Sequence, residues 1–255
     1  MLSSLSLLLY RETFFLLGRD QNQKVAYVHQ GSYDTEKNLI SSLKDDQVFK
    51  LDLTTEVFSH DRVFTLVPGV LYDQAFAAAY LLLAGPINNQ TKVFETSLES
   101  NNVILLGSMS QGLHEFLSLG KSEISFHHGS ASFLSYALKE KFNLLPEELL
   151  ISFFDQSFYL AAFKKQELVL FNRFDTDNEE ESLRYIFGVI HQLGFETKHC
   201  RISVFADESS HITSDWGKNH FHNIRIFEPV SNQHFLKGTE KLQKSRIFES
   251  FWKFQ

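Results

Sequence analysis

The stretch Tyr10-Arg11-Glu12-Thr13-Phe14-Phe15-Leu16-Leu17 is written a second time, 144 positions later, as Phe154-Asp155-Gln156-Ser157-Phe158-Tyr159-Leu160-Ala161. Both copies read aromatic, polar, polar, hydroxyl, aromatic, aromatic, apolar, apolar. After one gap, Val25-Ala26-Tyr27-Val28 falls on Leu168-Val169-Leu170-Phe171, and a polar-capped helical stretch follows in each copy. Internal repetition fixes architecture before any single residue is considered. Two such copies predict two similar α/β lobes.

Alternation and turn residues predict strands over 5–10, 13–18 and 25–29, with Asp20-Gln21-Asn22-Gln23 as a turn. A helix capped by Ser32 or Asp34 is expected to run to about Leu43. Further strands are expected from 48 to 66. Pro68-Gly69 then breaks the pattern, and an Ala- and Leu-rich helix is expected over 71–83. Short strands at 93–98 and 103–106, a helix at 111–119, a strand at 124–128 and a helix at 130–142 complete the first copy. The second copy reads as strands at 149–154, 157–163 and 167–174. Its helix at 178–193 opens on Glu179-Glu180-Glu181, where the helix dipole favours negative charge, and stops at Gly194. Strands at 201–206 and 223–227 flank a helix near 212–217, and an amphipathic helix is expected over 241–253. Both lobes thus follow β-β-β-α-β-α-β-α. The boundaries are 1–145 for lobe one, with an extra segment at about 48–100 before its fourth strand, and 146–235 for lobe two. Residues 236–255 form a C-terminal helix expected to return to lobe one.

Composition narrows the class. A chain of 255 residues can bury roughly three quarters of the surface its unfolded form exposes. Twenty-six phenylalanines require packed interfaces to hold them. A net charge of −7 supplies no basic face for nucleic acid. Cys200 is the single cysteine, so no intrachain disulfide can form, and a reducing compartment is the simpler home. The N-terminal apolar run lacks a basic flank and is too short for a signal peptide; it reads as a buried first strand. No run approaches the ~20 apolar residues of a membrane helix. The expectation is a cytoplasmic protein with no membrane insertion.

A duplicated β-β-β-α-β-α-β-α lobe resembles the superfamily of actin, heat-shock chaperones and sugar kinases, in which ATP lies between two ribonuclease-H-like lobes. The extra segment in lobe one, with Val103-Ile104-Leu105-Leu106-Gly107-Ser108 and Ile124-Ser125-Phe126-His127-His128, is similar to cell-division and type IV pilus-assembly members. Phe64-Thr65-Leu66-Val67-Pro68-Gly69-Val70-Leu71-Tyr72-Asp73 resembles, more narrowly, a domain-of-unknown-function family of Bacteroidetes within that superfamily. The resemblance implies an actin-like ATPase fold with ATP and magnesium as ligands.

The residues that would hold them depart from the pattern the resemblance implies. Phosphates in that superfamily sit on backbone N–H groups of two hairpin turns, each resembling Asp-x-Gly, where glycine permits close approach and the aspartate organises magnesium. Here the first turn is Tyr10-Arg11-Glu12-Thr13, with no glycine before Gly18. The second is Phe154-Asp155-Gln156-Ser157, with none between Gly129 and Gly188. The adenosine side uses a Gly-Gly turn after the fourth strand of lobe two, where this chain has Ala206-Asp207-Glu208-Ser209-Ser210. Asp155 reads either as a displaced magnesium ligand or as an ordinary tight-turn aspartate. Asp207 and Glu208 read as cation ligands or as a solvated loop.

Other constellations carry less. His127 and His128 are strand neighbours that point to opposite faces. A zinc site from His199, Cys200, His220 and His222 has no supporting Cys pair or His-Glu helix motif. Ser108 and Ser130 lie near glycines but outside any Gly-x-Ser-x-Gly elbow. In the last residues, Phe248, Phe251, Trp252 and Phe254 form either a returning core helix or a docking element, with Trp252 and Phe254 the docking candidates. The reading is a non-catalytic interaction scaffold with a protein partner and no cofactor. The alternative is a divergent ATPase or kinase binding ATP and magnesium.

Overall fold

The computed structural model describes residues 1–99, 102–176, 178–206, 212–213, 215–227 and 235–239. They divide into two compact units, 1–131 with 235–239, and 132–227. The division falls inside a helix at Ser130–Glu140, whereas the sequence reading places the lobe boundary at 145/146.

The first unit opens with β1 (Leu2–Leu9), β2 (Thr13–Asp20), β3 (Val25–Ser32), α1 (Glu36–Asp45) and β4 (Thr54–Ser59). An inserted portion follows: β5 (Thr65–Pro68), 3₁₀ turns at Gly69–Leu71 and Gln74–Phe76, α2 (Ala77–Leu82), β6 (Thr91–Leu98) and β7 (Val103–Ser110). Then come α3 (Gln111–Ser118), β8 (Ile124–His128) and α4 (Ser130–Glu140). The second unit continues with β9 (Glu147–Phe154), β10 (Ser157–Lys164), β11 (Glu167–Asp175), α5 (Glu179–Leu193), β12 (Arg201–Phe205) and β13 (Ile224–Phe227).

The two main sheets have one topology. Their strand orders are β3-β2-β1-β4-β8 and β11-β10-β9-β12-β13. Register repeats with the order: Leu9 pairs with Phe14 and Phe153 with Phe158, each 144 positions apart from its counterpart. Thr13 pairs with Ser32 and Ser157 with Asp175. Helix entry repeats too, since Thr35 caps α1 by accepting from Asn38 N and Asn178 caps α5 by accepting from Glu181 N. Such a cap satisfies one of the orphan N–H groups of the first turn. At its other end α5 stops on Gly194, whose φ of 63° and ψ of 37° lie in the left-handed region that glycine adopts freely.

The extra segment lies elsewhere than expected. The fourth strand of the main sheet is β4, parallel to β1 with Ser4 opposite Thr54. Residues 103–106, expected as that strand, belong to β7, the centre of a separate sheet of order β5-β7-β6. The insertion therefore follows the fourth strand. Thr55 to Ile124 spans 69 positions, and their counterparts Ile202 to Ile224 span 22. The helix expected over 71–83 is likewise broken. Tyr72 and Asp73 are extended, Asp73 caps the next 3₁₀ turn by accepting from Ala75 N, and regular α-helix begins only at Ala77. The helix expected near 212–217 appears among the described residues as turns over 215–220. The helix expected over 241–253 lies outside the described residues.

Each unit has its own core. Central strands β1 and β9 are buried on both faces, as expected for strands paired on either side and covered above and below. Phenylalanine fills the space: Phe14, Phe58, Phe133, Phe158 and Phe163 are fully buried. Phe153 packs on Phe158 at 5.0 Å between ring centroids and meets Trp216 edge-on at 5.5 Å, a geometry that rewards aromatic pairs beyond their area.

One buried polar position is exchanged between the repeats. In the second unit Glu148 of β9 accepts from Ser203 Oγ of β12 at 2.8 Å and from Arg201 Nη2 at 2.5 Å. The counterparts of Glu148 and Ser203 by register are Ser4 and Glu56, so acid and hydroxyl have traded strands. Glu56 is the negative charge that offsets the burial of Arg19, a guanidinium 1% exposed. Each sheet thus contains an Arg–Glu pair in a place where an unpaired charge would be costly.

Candidate functional site

The two hairpin turns carry the residues the sequence reading singled out. At the first, Tyr10 N donates to Thr13 O at 2.9 Å, and Glu12 O accepts from Tyr33 N at 2.8 Å. Tyr33 Oη also donates to the Tyr10 carbonyl. Arg11 and Glu12 are exposed, with 3.8 Å between Nε and Oε1, a solvated pair of little energetic weight. Thr13 Oγ1 is buried without a hydrogen-bond partner among the described residues.

The second turn is built alike and filled differently. Gln156 O accepts from Thr176 N at 2.9 Å, the counterpart of the Glu12–Tyr33 bond. Asp155 holds φ at 46°, a left-handed conformation that aspartate tolerates better than most residues. Asp155 and Gln156 are exposed, but Ser157 is buried. The Ser157 hydroxyl donates to Asp175 Oδ1 at 2.7 Å and accepts from Arg173 Nη2 at 3.0 Å. Arg173 also donates to Asp175 Oδ1 through Nε at 3.1 Å and Nη2 at 2.9 Å, and its guanidinium lies over the Phe154 ring at 5.4 Å. Hydroxyl and cation at this turn are committed to a carboxylate of the same lobe. The nearby start of α5, an anion site by dipole, carries Glu179, Glu180 and Glu181 of its own. Asp207 and Glu208 lie outside the described residues, as do Trp252 and Phe254.

Histidines gather at the carboxyl ends of β4 and β8, the side of a parallel sheet where ligands commonly bind. His128 is fully buried and stacks on Phe64 at 4.5 Å. Its Nε2–H donates to Asp61 O at 2.8 Å, which leaves Nδ1 to accept from Ser130 Oγ at 2.7 Å. The order hydroxyl–imidazole–carbonyl resembles that of a nucleophile and base, yet Ser130 is itself fully buried and no substrate can reach it. His127 points the other way, as strand geometry requires. Its Nδ1 meets Thr96 Oγ1 of β6 at 3.0 Å, and burial holds its pKa down to about 4. It ties the inserted sheet to the main one. Among the described residues no three His, Cys, Asp or Glu side chains gather as a metal site would require. Burial pushes the Cys200 thiol up to about 12, assisted by Glu147 and Glu148, so it is no nucleophile at neutral pH.

The sequence reading missed an apolar face on the insertion. Val70, Leu71, Phe76, Leu82 and Leu83 are all exposed there. The signal was present: from Val63 to Thr91 the chain holds one formal charge, Asp73. Among the described residues no helix is long and apolar enough to cross a membrane.

Against known proteins, the structure is similar to a protein of Bacteroides thetaiotaomicron VPI-5482 with an actin-like ATPase fold and unknown function. The two share 15% identity and a TM-score of 0.77, over 96% of this chain and 95% of that one. It is also similar to a chain of the PilM-PilN type IV pilus biogenesis complex, at 9% identity and a TM-score of 0.58 over 97% of this chain and 96% of that one. No curated protein matches. The fold is thus that of the actin-like ATPases, with duplicated ribonuclease-H-like lobes and a subdomain inserted in the first. A family model matches residues 2–227, and the chain belongs to the family described as Protein of unknown function (DUF3822).

Proposed function

We propose that this chain is a non-catalytic protein of the actin-like fold, a cytoplasmic interaction scaffold that works with a protein partner and without ATP, magnesium or another cofactor. The observation that carries this reading is the closure of the second hairpin turn. A phosphate there would need N–H groups and a cation, and the Arg173 fork is spent on Asp175 and Ser157 of the same lobe. Releasing it would leave a carboxylate beside an incoming polyanion, which is repulsive. The glycine-free sequence of both turns supports the same conclusion, because side chains stand where backbone would have to approach phosphate. The likeness to a chain from a two-protein assembly, PilM with PilN, supports a protein as the partner class.

The test is affinity purification of the tagged chain from its native cells, with and without enzymatic removal of ATP. The reading expects a stoichiometric protein partner whose recovery is indifferent to ATP. A chain that returns with bound nucleotide, or a partner released when ATP is removed, supports the divergent ATPase instead.

A further inference from the structure

The segment from Pro68 to Leu83 is fixed by local polar contacts. Tyr72 Oη donates to Glu95 on β6, Tyr80 Oη donates to Leu71 O at 2.8 Å, and the exposed Asp73 accepts from Ala75 N through Oδ1 at 2.9 Å. Leu81 is buried against Val67, Ile104 and Leu106, which seats α2 on the inserted sheet. Five other large apolar side chains face water. Val70 is 92% exposed, Leu83 86%, Leu71 66%, Phe76 58% and Leu82 54%. Scattered exposed leucines need no explanation, but five large apolar side chains exposed within fourteen residues are a concentration of the kind that marks an interface.

Charge decides what covers it. No Lys, Arg or His occurs from Val63 to Thr91, so the face lacks the cations with which an amphipathic surface holds anionic lipid. A second copy meeting it in two-fold symmetry would bring two Asp73 carboxylates into an otherwise uncharged contact, with no cation on either side. A different protein can supply both missing elements. We infer that this face docks an amphipathic helix of another protein, with an apolar ridge on Val70, Leu71, Phe76, Leu82 and Leu83 and a basic residue opposite Asp73. The inference rests on the interaction reading above and assigns its surface.

The probe is a labelled helical peptide of Leu, Ala and Lys, about five turns long with leucine on one face, compared with its counterpart carrying Glu for Lys. Fluorescence anisotropy should show the Lys peptide binding more tightly than the Glu peptide. Phe76→Glu and Leu83→Glu should each weaken binding at least about tenfold, and both exposed positions tolerate the change without loss of fold. Asp73→Asn keeps the oxygen that accepts from Ala75 N and should erase the preference for Lys. Binding equal in wild type and Leu83→Glu overturns the inference. So do a concentration-dependent dimer that Leu83→Glu dissolves, which makes a second copy the occupant, and adsorption to phosphatidylcholine vesicles without peptide binding, which makes it a bilayer. If Leu83→Glu fails to bind peptide differently but the protein still retrieves its cellular partner, this surface is wrong and the scaffold reading stands.

Discussion

Arg173 and Asp175, two positions apart on β11, form an ion pair of 2.9 Å over the Ser157 hydroxyl. The pair is lopsided, since the Arg173 side chain is 6% exposed and that of Asp175 35%. Deleting the acid therefore strands a buried cation, whereas deleting the cation leaves a carboxylate that water can reach. Asp175→Ala is expected to cost about 2–3 kcal/mol, more than Arg173→Ala costs beyond the packing lost from Phe154. Urea unfolding of the two variants and their double mutant checks this. A larger loss in Arg173→Ala than in Asp175→Ala would show that packing, not charge, holds the turn.

Asp46 closes α1 onto β3 and gives the protein an acid limb. Burial pushes its carboxyl up, but Phe49 N, Tyr27 Oη, His29 Nδ1 and Val48 N together hold it below the ordinary carboxylate range. A depressed folded pKa stabilises above the unfolded value of about 3.9 and is lost as pH falls through the folded one. The stability gap between wild type and Asp46→Asn should be full at pH 7 and close below about pH 4. Tyr27 has the opposite sign: burial first, then Asp46, pushes it up to about 12. Its contribution should persist to about pH 10 and fade toward the folded value. Urea midpoints across pH measure both limbs; a gap unchanged at pH 3 would contradict the first.

Gly129 is fixed by a neighbour. A Cβ there would meet the His60 ring at 2.3 Å, and His60 is stacked on Tyr10 at 4.1 Å. Gly129→Ala should cost about 1–3 kcal/mol by overpacking. His60→Ala should absorb much of that loss, so that the double mutant is more stable than the two single losses add up to. Additive losses would mean the ring is not the obstacle.

Much of the fold was legible because repetition removes ambiguity. The copied octapeptides became the β1–β2 and β9–β10 hairpins, and the helix after 178, the Gly194 stop and the strand at 124–128 fell where local chemistry put them, whereas α1 is capped by Thr35 and not by Ser32 or Asp34. Pairing was harder to read. Residues 54–59 and 103–106 both form strands, and nothing local says which lies beside β1. The apolar face escaped because Leu81, Leu82 and Leu83 imply one buried helix stripe, whereas only Leu81 is buried and Leu82 and Leu83 face water. At the second turn the sequence exposed the missing glycine, but not that Arg173, sixteen positions from Ser157, fills the space.

The central claim is that this actin-like fold has given up nucleotide, and its most direct test is the melting temperature of the purified chain with ATP and magnesium. A ligand at 100 times its dissociation constant stabilises by about 2.7 kcal/mol, which moves the midpoint of a protein this size by roughly 5–10 °C. The account predicts no shift at millimolar ATP, in wild type and in Asp155→Ala alike. A shift of several degrees that requires magnesium and disappears in Asp155→Ala would contradict it and make the second turn a working phosphate site.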